Sequence, residues 1–368
     1  MAFVGGGSGG HLSPAVAIAQ ELLTHEPESR FLFLTSDRAV DQQVLSASGL
    51  TGIEAQVVPY ASWPSQRSVW SSAMRLPLLW RSLRQAHRCL QSFRPHVVVG
   101  LGALASVPGV VAANRLRLPI VLLEQNCLPG KATRSLARRA RLTVFGLPVT
   151  EELLQHWASP VLTCGTPVRI GIRELAEMPV PAIRVRKRIL ILGGSQGSRS
   201  VNQIVAATFG AGFKLPPEWD IVHQTGEPQV ADISEHYRHG GIAARVEAFL
   251  SDMQAELAAA SIVVSRAGAV TIQELACAGL PSILIPLSTS ANNHQFFNAS
   301  LLEDTGAAFV IDEKKIDTVN AFRTALETLL TELNTWQSMA HAIRSLATPN
   351  AAMEIAGLLR EVANSDCR

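Results

Sequence analysis

Two glycine-rich turns carry the residues best suited to chemistry. Gly5-Gly6-Gly7-Ser8-Gly9-Gly10-His11 follows the apolar run Ala2-Phe3-Val4 and opens a periodic stretch from Pro14 to Leu23. Gly193-Gly194-Ser195-Gln196-Gly197-Ser198 follows Ile189-Leu190-Ile191-Leu192 and opens Val201 to Ala207. A strand that ends in glycines and turns directly into a helix leaves backbone N–H groups unpaired, pointing out of the sheet where a phosphate can sit. His11 closes the first turn and is the side chain there that titrates near neutrality, so it can act as a base or as a hydrogen-bond donor to a ligand. The residues alone do not choose between these two roles.

Two further turns use the same device. Gly100-Leu101-Gly102-Ala103 and Ser265-Arg266-Ala267-Gly268-Ala269 each follow a strand-like run and precede a helical one. Such turns are often purely structural. Their recurrence in both halves places several helix N-termini on the carboxyl edge of each expected sheet.

The elements that must position these turns alternate regularly. Strands are expected at 2–4, 31–35, 97–100, 120–123, 142–145 and 161–164 in the first half, and at 189–192, 221–224, 262–265, 282–286 and 308–311 in the second. Helix-length periodic segments separate them, the signature of parallel sheets with crossover helices. The fold class is therefore α/β, with two Rossmann-like, doubly wound parallel-sheet domains expected to face a cleft. The segment from Gly165 to Arg188, with Pro167, Pro179 and Pro181, reads as a linker. Domains are expected at 1–168 and 169–348, with a last helix within 349–368 packing back on the first domain. A single helix is expected over 321–346.

Composition sets the limits. The chain has 368 residues, 47% hydrophobic and 17% charged, enough for two well-cored domains and unlike a disordered chain. No apolar run approaches the roughly 20 residues of a membrane span. The start lacks a basic segment before its apolar run, so a secretory signal is not expected. Five cysteines without a C-x-x-C pair suggest reduced thiols and no zinc site. A formal net charge of +2 argues against nucleic acid as a partner.

Charge is unevenly spread. From Ala55 to Leu123 there is no Asp or Glu, while Arg67, Arg75, Arg81, Arg84, Arg88, Arg94, Arg115 and Arg117 provide eight cations. Trp63, Trp70, Met74, Leu79 and Trp80 lie among them. Arginines beside tryptophans and leucines on one amphipathic segment suit an anionic membrane surface, with Trp70, Leu79, Trp80 and Arg84 as the docking residues. An ordinary helix with a solvated basic face and its Trp and Leu in the core is the plainer reading.

Gly5-x-Gly7-x-x-Gly10 formally satisfies the dinucleotide fingerprint, with Asp37 as a late candidate for the ribose carboxylate. A dehydrogenase would leave the second half's motifs without a role. The run from Ser265 through Glu274 to Pro281, continuing to Asn293-His294-Gln295-Phe296-Phe297-Asn298-Ala299, resembles instead the nucleotide-sugar site of two-lobed (GT-B) glycosyltransferases. It is most similar to the bacterial MurG family, which adds N-acetylglucosamine to the lipid-linked muramoyl-pentapeptide of peptidoglycan. The resemblance extends over nearly the whole chain, through Glu124-Gln125-Asn126, Pro167-Val168-Arg169, His223-Gln224-Thr225-Gly226 and Phe249-Leu250-Ser251-Asp252-Met253.

That resemblance implies an inverting transfer from UDP-GlcNAc to the C4 hydroxyl of an undecaprenyl-linked acceptor on the cytoplasmic face of the inner membrane, with other cell-wall enzymes as possible associates. It implies donor contacts at Ser8, Gly9, Gly10, Asn126, Arg169, Ser195, Leu250, Arg266, Gly268, Ala269, Val270, Thr271, Glu274, Gln295 and Asn298. Glu274 would take both ribose hydroxyls, the Leu250 backbone the uracil, and Gln295 with Asn126 the sugar. His11 or Glu124 would be the catalytic base. No Asp-x-Asp occurs, so amide dipoles rather than a cation are expected to hold the departing diphosphate, with no obligatory metal or other cofactor. Leu104, Leu123, Thr133 and Thr166 depart from the family pattern, all in the first half, which leaves acceptor recognition less constrained than donor recognition. A related enzyme acting on another lipid, or a UDP-GlcNAc epimerase of the same fold, remains an alternative.

Overall fold

The computed structural model describes residues 1–7, 9–50, 52–58, 76–180, 187–194, 197–210, 212–290 and 293–365. They form two compact units: Met1–Arg169 with Asn350–Arg368, and Ile170–Pro349.

The first unit is built on strands β1 (Ala2–Val4), β2 (Phe31–Thr35), β3 (Ile53–Val57), β4 (Val98–Gly100), β5 (Ile120–Glu124), β6 (Leu142–Phe145) and β7 (Val161–Thr163). They lie in the order β3-β2-β1-β4-β5-β6-β7, and every ladder is parallel. Period-2 alternation explains why the strands read as unbroken apolar runs: Phe3, Phe33, Val97 and Val99 enter one core, while Ala2, Val4, Leu34 and Val98 enter the other. Phe3 stacks on Phe33 with centroids 5.1 Å apart. The helix Gly9–His25 contributes Leu12, Ala15, Ile18 and Leu22 to the first of these cores, and the last helix, Ala351–Ser365, adds Ile355 and Leu359 to it. An Arg360–Glu26 ion pair at 3.0 Å pins the end of that last helix.

The second unit repeats the plan with β8 (Arg188–Leu192), β9 (Asp220–Gln224), β10 (Ala244–Glu247), β11 (Ile262–Ser265), β12 (Ser282–Leu284) and β13 (Ala308–Val310), in the order β10-β9-β8-β11-β12-β13. Its ladders are also parallel. In both sheets chain order reverses beside the first strand, at β1/β4 and at β8/β11. A crevice must open at such a reversal, because the helices that follow the two strands leave toward opposite faces. All four small-residue turns singled out by sequence follow these four strands.

The structure corrects three expectations. Strands β3 and β10 exist where none is expected, because each is a sheet edge with largely solvated side chains and no apolar run. The helix expected over 321–346 is two helices, Thr318–Thr331 and Leu333–Ser345, broken at Glu332 with φ −98° and ψ 92°. The expected linker holds a short helix, Ile170–Arg173, and a 3-10 turn, Glu174–Glu177. No described helix is long and apolar enough to cross a membrane.

Candidate functional site at the two switch points

In the first unit the glycine turn is already gripped from within. The buried Asp41 carboxylate accepts the Gly7 N–H with both oxygens, at 3.0 and 2.8 Å, and also the Ser36 hydroxyl at 2.6 Å. Gly6 has φ +148°, and a Cβ there would meet Asp41 Oδ2 at 2.3 Å, so only glycine fits. Arg38 Nη1 donates to the Gly7 carbonyl at 2.8 Å. The Gly7 amide is thus not offered to a ligand. Asp37, the candidate ribose carboxylate of the dinucleotide reading, is exposed, and the carboxylate at the loop is Asp41.

Beyond the turn, Gly9 and Gly10 begin the helix Gly9–His25, which brings His11 to the loop after β4. A Cβ built on Gly102 would lie 3.7 Å from His11 Cε1, 3.6 Å from Thr133 Oγ1 and 3.6 Å from the Leu123 carbonyl oxygen. That point gathers His11, the turn after β4 and the end of β5. Glu124, the last residue of β5, is buried. Its Oε1 accepts from the Asn126 amide at 3.2 Å and Asn126 Nδ2 at 3.0 Å, and its Oε2 from the Gly130 amide at 3.0 Å and Thr133 Oγ1 at 2.6 Å. Four donors on two oxygens make Glu124 the anchor of the loop 125–130. Thr133, one of the departures from the family pattern, is a member of that anchor.

In the second unit Gly197 has φ +73°, and a Cβ there would meet the Thr225 carbonyl at 2.2 Å, so the turn after β8 packs directly on the turn after β9. Gln224 ties these turns to the next: its Nε2 donates to the Gly194 carbonyl at 2.7 Å and its Oε1 accepts the Leu250 N–H at 3.1 Å. The Leu250 amide is therefore taken by the protein itself.

The turn after β11 leads into the helix Ala269–Ala278, capped by Gly268, where a Cβ would lie 3.7 Å from Thr271 Oγ1. Ala269, Val270 and Thr271 form the first turn of this helix, and Glu274, half-buried, lies one turn further on. The buried Asn298 donates to the Ala267 carbonyl at 3.2 Å and holds the turn from behind. Gln295, on the same helix as Asn298, accepts the Leu287 N–H at 2.9 Å.

Arg266 is committed to a network. Its Nη1 donates to the Ile285 carbonyl and to Glu313 Oε2, both at 2.8 Å, and its Nη2 to Ser200 Oγ at 2.6 Å. Glu313 also accepts from Ser200 Oγ at 2.5 Å and the Ser288 amide at 2.7 Å. Burial would raise the Glu313 pKa, but the bonds from Ser200, Ser288 and Arg266 outweigh it and hold it at about 2. This network joins the first turn of the helix Arg199–Gly210, which follows β8, to the loops after β11, β12 and β13. Sequence reasoning missed Asp41 and Glu313 and gave Gln224 no role. His223, bonded to Tyr237 OH at 2.9 Å and Asn202 Oδ1 at 3.0 Å, is buried in the core.

Asn126 and the exposed Arg169 belong to the first unit, and the donor candidates from Leu250 to Asn298 to the second. Ser8, Ser195 and Trp70 lie outside the described residues. The helix Leu76–Phe93 buries Ser82, Ala86 and Leu90, and it exposes Leu79 (40%) and Trp80 (59%) beside Arg81, Arg84 and Arg88. The Arg84 guanidinium sits over the Trp80 ring, 4.9 Å from its centroid. Leu79 and Trp80 are thus surface residues, contrary to the plainer sequence reading. Among the described residues no group of three or more His, Cys, Asp or Glu could hold a metal ion.

Two parallel-sheet units, each with glycine turns and helix N-termini at its switch point, define the two-domain, Rossmann-like GT-B class of fold. The N-terminal domain model of glycosyltransferase family 28 matches residues 1–144, and its C-terminal domain model matches 188–355. The chain belongs to glycosyltransferase family 28. It is 35% identical over 366 residues to the UDP-N-acetylglucosamine--N-acetylmuramyl-(pentapeptide) pyrophosphoryl-undecaprenol N-acetylglucosamine transferase of Coxiella burnetii (strain RSA 331 / Henzerling II), covering 96% of this chain and 95% of that one. Among solved structures it is similar to Acinetobacter baumannii MurG, with a TM-score of 0.74 at 24% identity over 98% of each chain. The UDP-GlcNAc 2-epimerase of Neisseria meningitidis, solved bound to UDP-GlcNAc, shares the fold with a TM-score of 0.64 at 14% identity, covering 98% of this chain and 99% of that one.

Proposed function

We infer that this chain transfers N-acetylglucosamine from UDP-GlcNAc to the C4 hydroxyl of the muramoyl sugar on an undecaprenyl-diphosphate pentapeptide carrier, with inversion. Near-full-length identity to an enzyme named for that reaction carries the inference.

On the donor side, the N-terminus of the helix Ala269–Ala278 supplies amides and a positive dipole end to the diphosphate, whose charge grows as the C1–O bond breaks. Thr271 adds a hydroxyl, and Glu274, on the same helix, accepts the ribose hydroxyls. The Leu250 carbonyl accepts the uracil N3–H, since its amide is held by Gln224. Arg266 and Glu313 fix the shape of the phosphate loops, Asn298 braces the turn after β11, and Gln295 braces the loop after β12. Ser195 and Arg169 complete the donor set. Dipoles and amides take the part a cation plays elsewhere, so no metal is required.

On the acceptor side, His11 takes the proton from the attacking hydroxyl, a role of about 10²- to 10⁴-fold. Glu124, its oxygens saturated by four donors, positions Asn126. Leu79, Trp80 and Arg84 dock the first unit on an anionic membrane, which suits an acceptor that cannot leave the bilayer.

The test is a transfer assay with UDP-GlcNAc and the lipid-linked acceptor, run beside an acceptor-free control. Glu274→Ala should raise donor KM by about 10- to 100-fold, the loss of one or two charge-assisted hydrogen bonds. Conversion of UDP-GlcNAc without acceptor would reveal an epimerase instead.

A further inference from the structure

A cavity of about 480 Å³ lies in the first unit, beside the loop that Glu124 anchors. Arg134 and Arg138, one helical turn apart, line it with His156, Glu152 and Trp157, and Leu128 and Leu153 form apolar wall. Among the described residues neither arginine makes an ion pair. Trp157 Nε1 is buried and has no hydrogen-bond partner there, while its ring packs edge-on against Phe145 with centroids 5.3 Å apart. That N–H has no accessible surface, so it is the face of the indole ring, with Leu128 and Leu153, that lines the cavity.

We propose that this cavity is a subsite for a carboxylate-bearing peptide, the stem that the lipid-linked acceptor carries. This rests on the transferase reading above. Two arginines against one glutamate leave a single net positive charge, which suits a carboxylate better than a phosphate dianion. The apolar wall takes short alkyl side chains. Continuity with the reaction site is direct: Leu128 belongs to the loop 125–130, and Arg134 follows Thr133, whose hydroxyl is bound to Glu124. A sugar held near His11 could extend its peptide along that loop.

The experiment compares two lipid-linked muramoyl acceptors, one with the pentapeptide and one without, for the parent chain, Arg134→Ala/Arg138→Ala and Trp157→Phe. The expected result is a KM for the peptide-bearing acceptor raised about tenfold in the double variant and unchanged in Trp157→Phe, which keeps an aromatic wall and loses only the inaccessible N–H. The peptide-free acceptor's KM, kcat and the donor KM should not move. An intact donor KM also reports that each variant is folded. If the parent uses both acceptors with equal KM, or if the variants weaken both acceptors alike, the subsite is refuted and the transferase reading stands. If the parent transfers to neither acceptor, the transferase reading itself is refuted.

Discussion

The Asp41 carboxylate closes on the Gly7 amide from 34 residues away, both oxygens within 3.0 Å of the same N–H. An internal anion therefore sits where a ligand phosphate would be expected, and it sets the curvature of the first glycine turn before any ligand binds. Asp41→Asn would turn one acceptor into a donor facing Gly7 N–H and Ser36. The variant should lose about 1–3 kcal/mol, read as a lower denaturant midpoint at unchanged slope. An unchanged midpoint would show that the turn holds its shape without this carboxylate.

His11 and Glu124 should separate by pH profile. With His11 as the base, His11→Ala lowers kcat by about 10²- to 10⁴-fold and removes the acidic limb of the profile. Glu124→Gln disturbs the loop 125–130 and should lower kcat while leaving that limb in place. Loss of the limb in Glu124→Gln would assign the base to Glu124.

Acid should weaken the second unit through His223. Burial holds this imidazole's pKa at about 3, against 6.5 for an ordinary histidine. Between these values the unfolded chain binds a proton that the folded chain refuses, so stability falls as pH drops through that window and is level above it. Glu313 adds a second loss lower down: its stabilising contribution is full above 4.5 and disappears as pH falls toward about 2. Thermal midpoints measured at pH 7.5 and 5 should differ in the parent and converge in His223→Gln, provided the amide keeps the bonds to Tyr237 and Asn202.

Membrane docking should depend on the exposed face of the helix Leu76–Phe93. Trp80→Glu/Arg84→Glu removes an inserted ring and reverses a charge stacked on it, and should release the protein from anionic vesicles at physiological salt. Donor KM should remain that of the parent. Vesicle binding that survives the double change would move the docking surface elsewhere.

The sequence by itself determined the class of fold and where its glycine turns stand, at the ends of the strands that flank each chain reversal. Alternating apolar strands and periodic helices specify parallel sheets, because strands buried on both faces must be apolar throughout, and glycines must stand where backbone meets backbone, as Gly197 meets Thr225. Edge strands β3 and β10 stayed hidden, since half-solvated residues carry no such run. The tertiary structure alone decided which side chains serve the turns. Asp41 on Gly7, Gln224 on Gly194 and Glu313 on Arg266 join residues 34, 30 and 47 positions apart, and no local periodicity encodes a hydrogen bond between loops that only the packed sheet brings together.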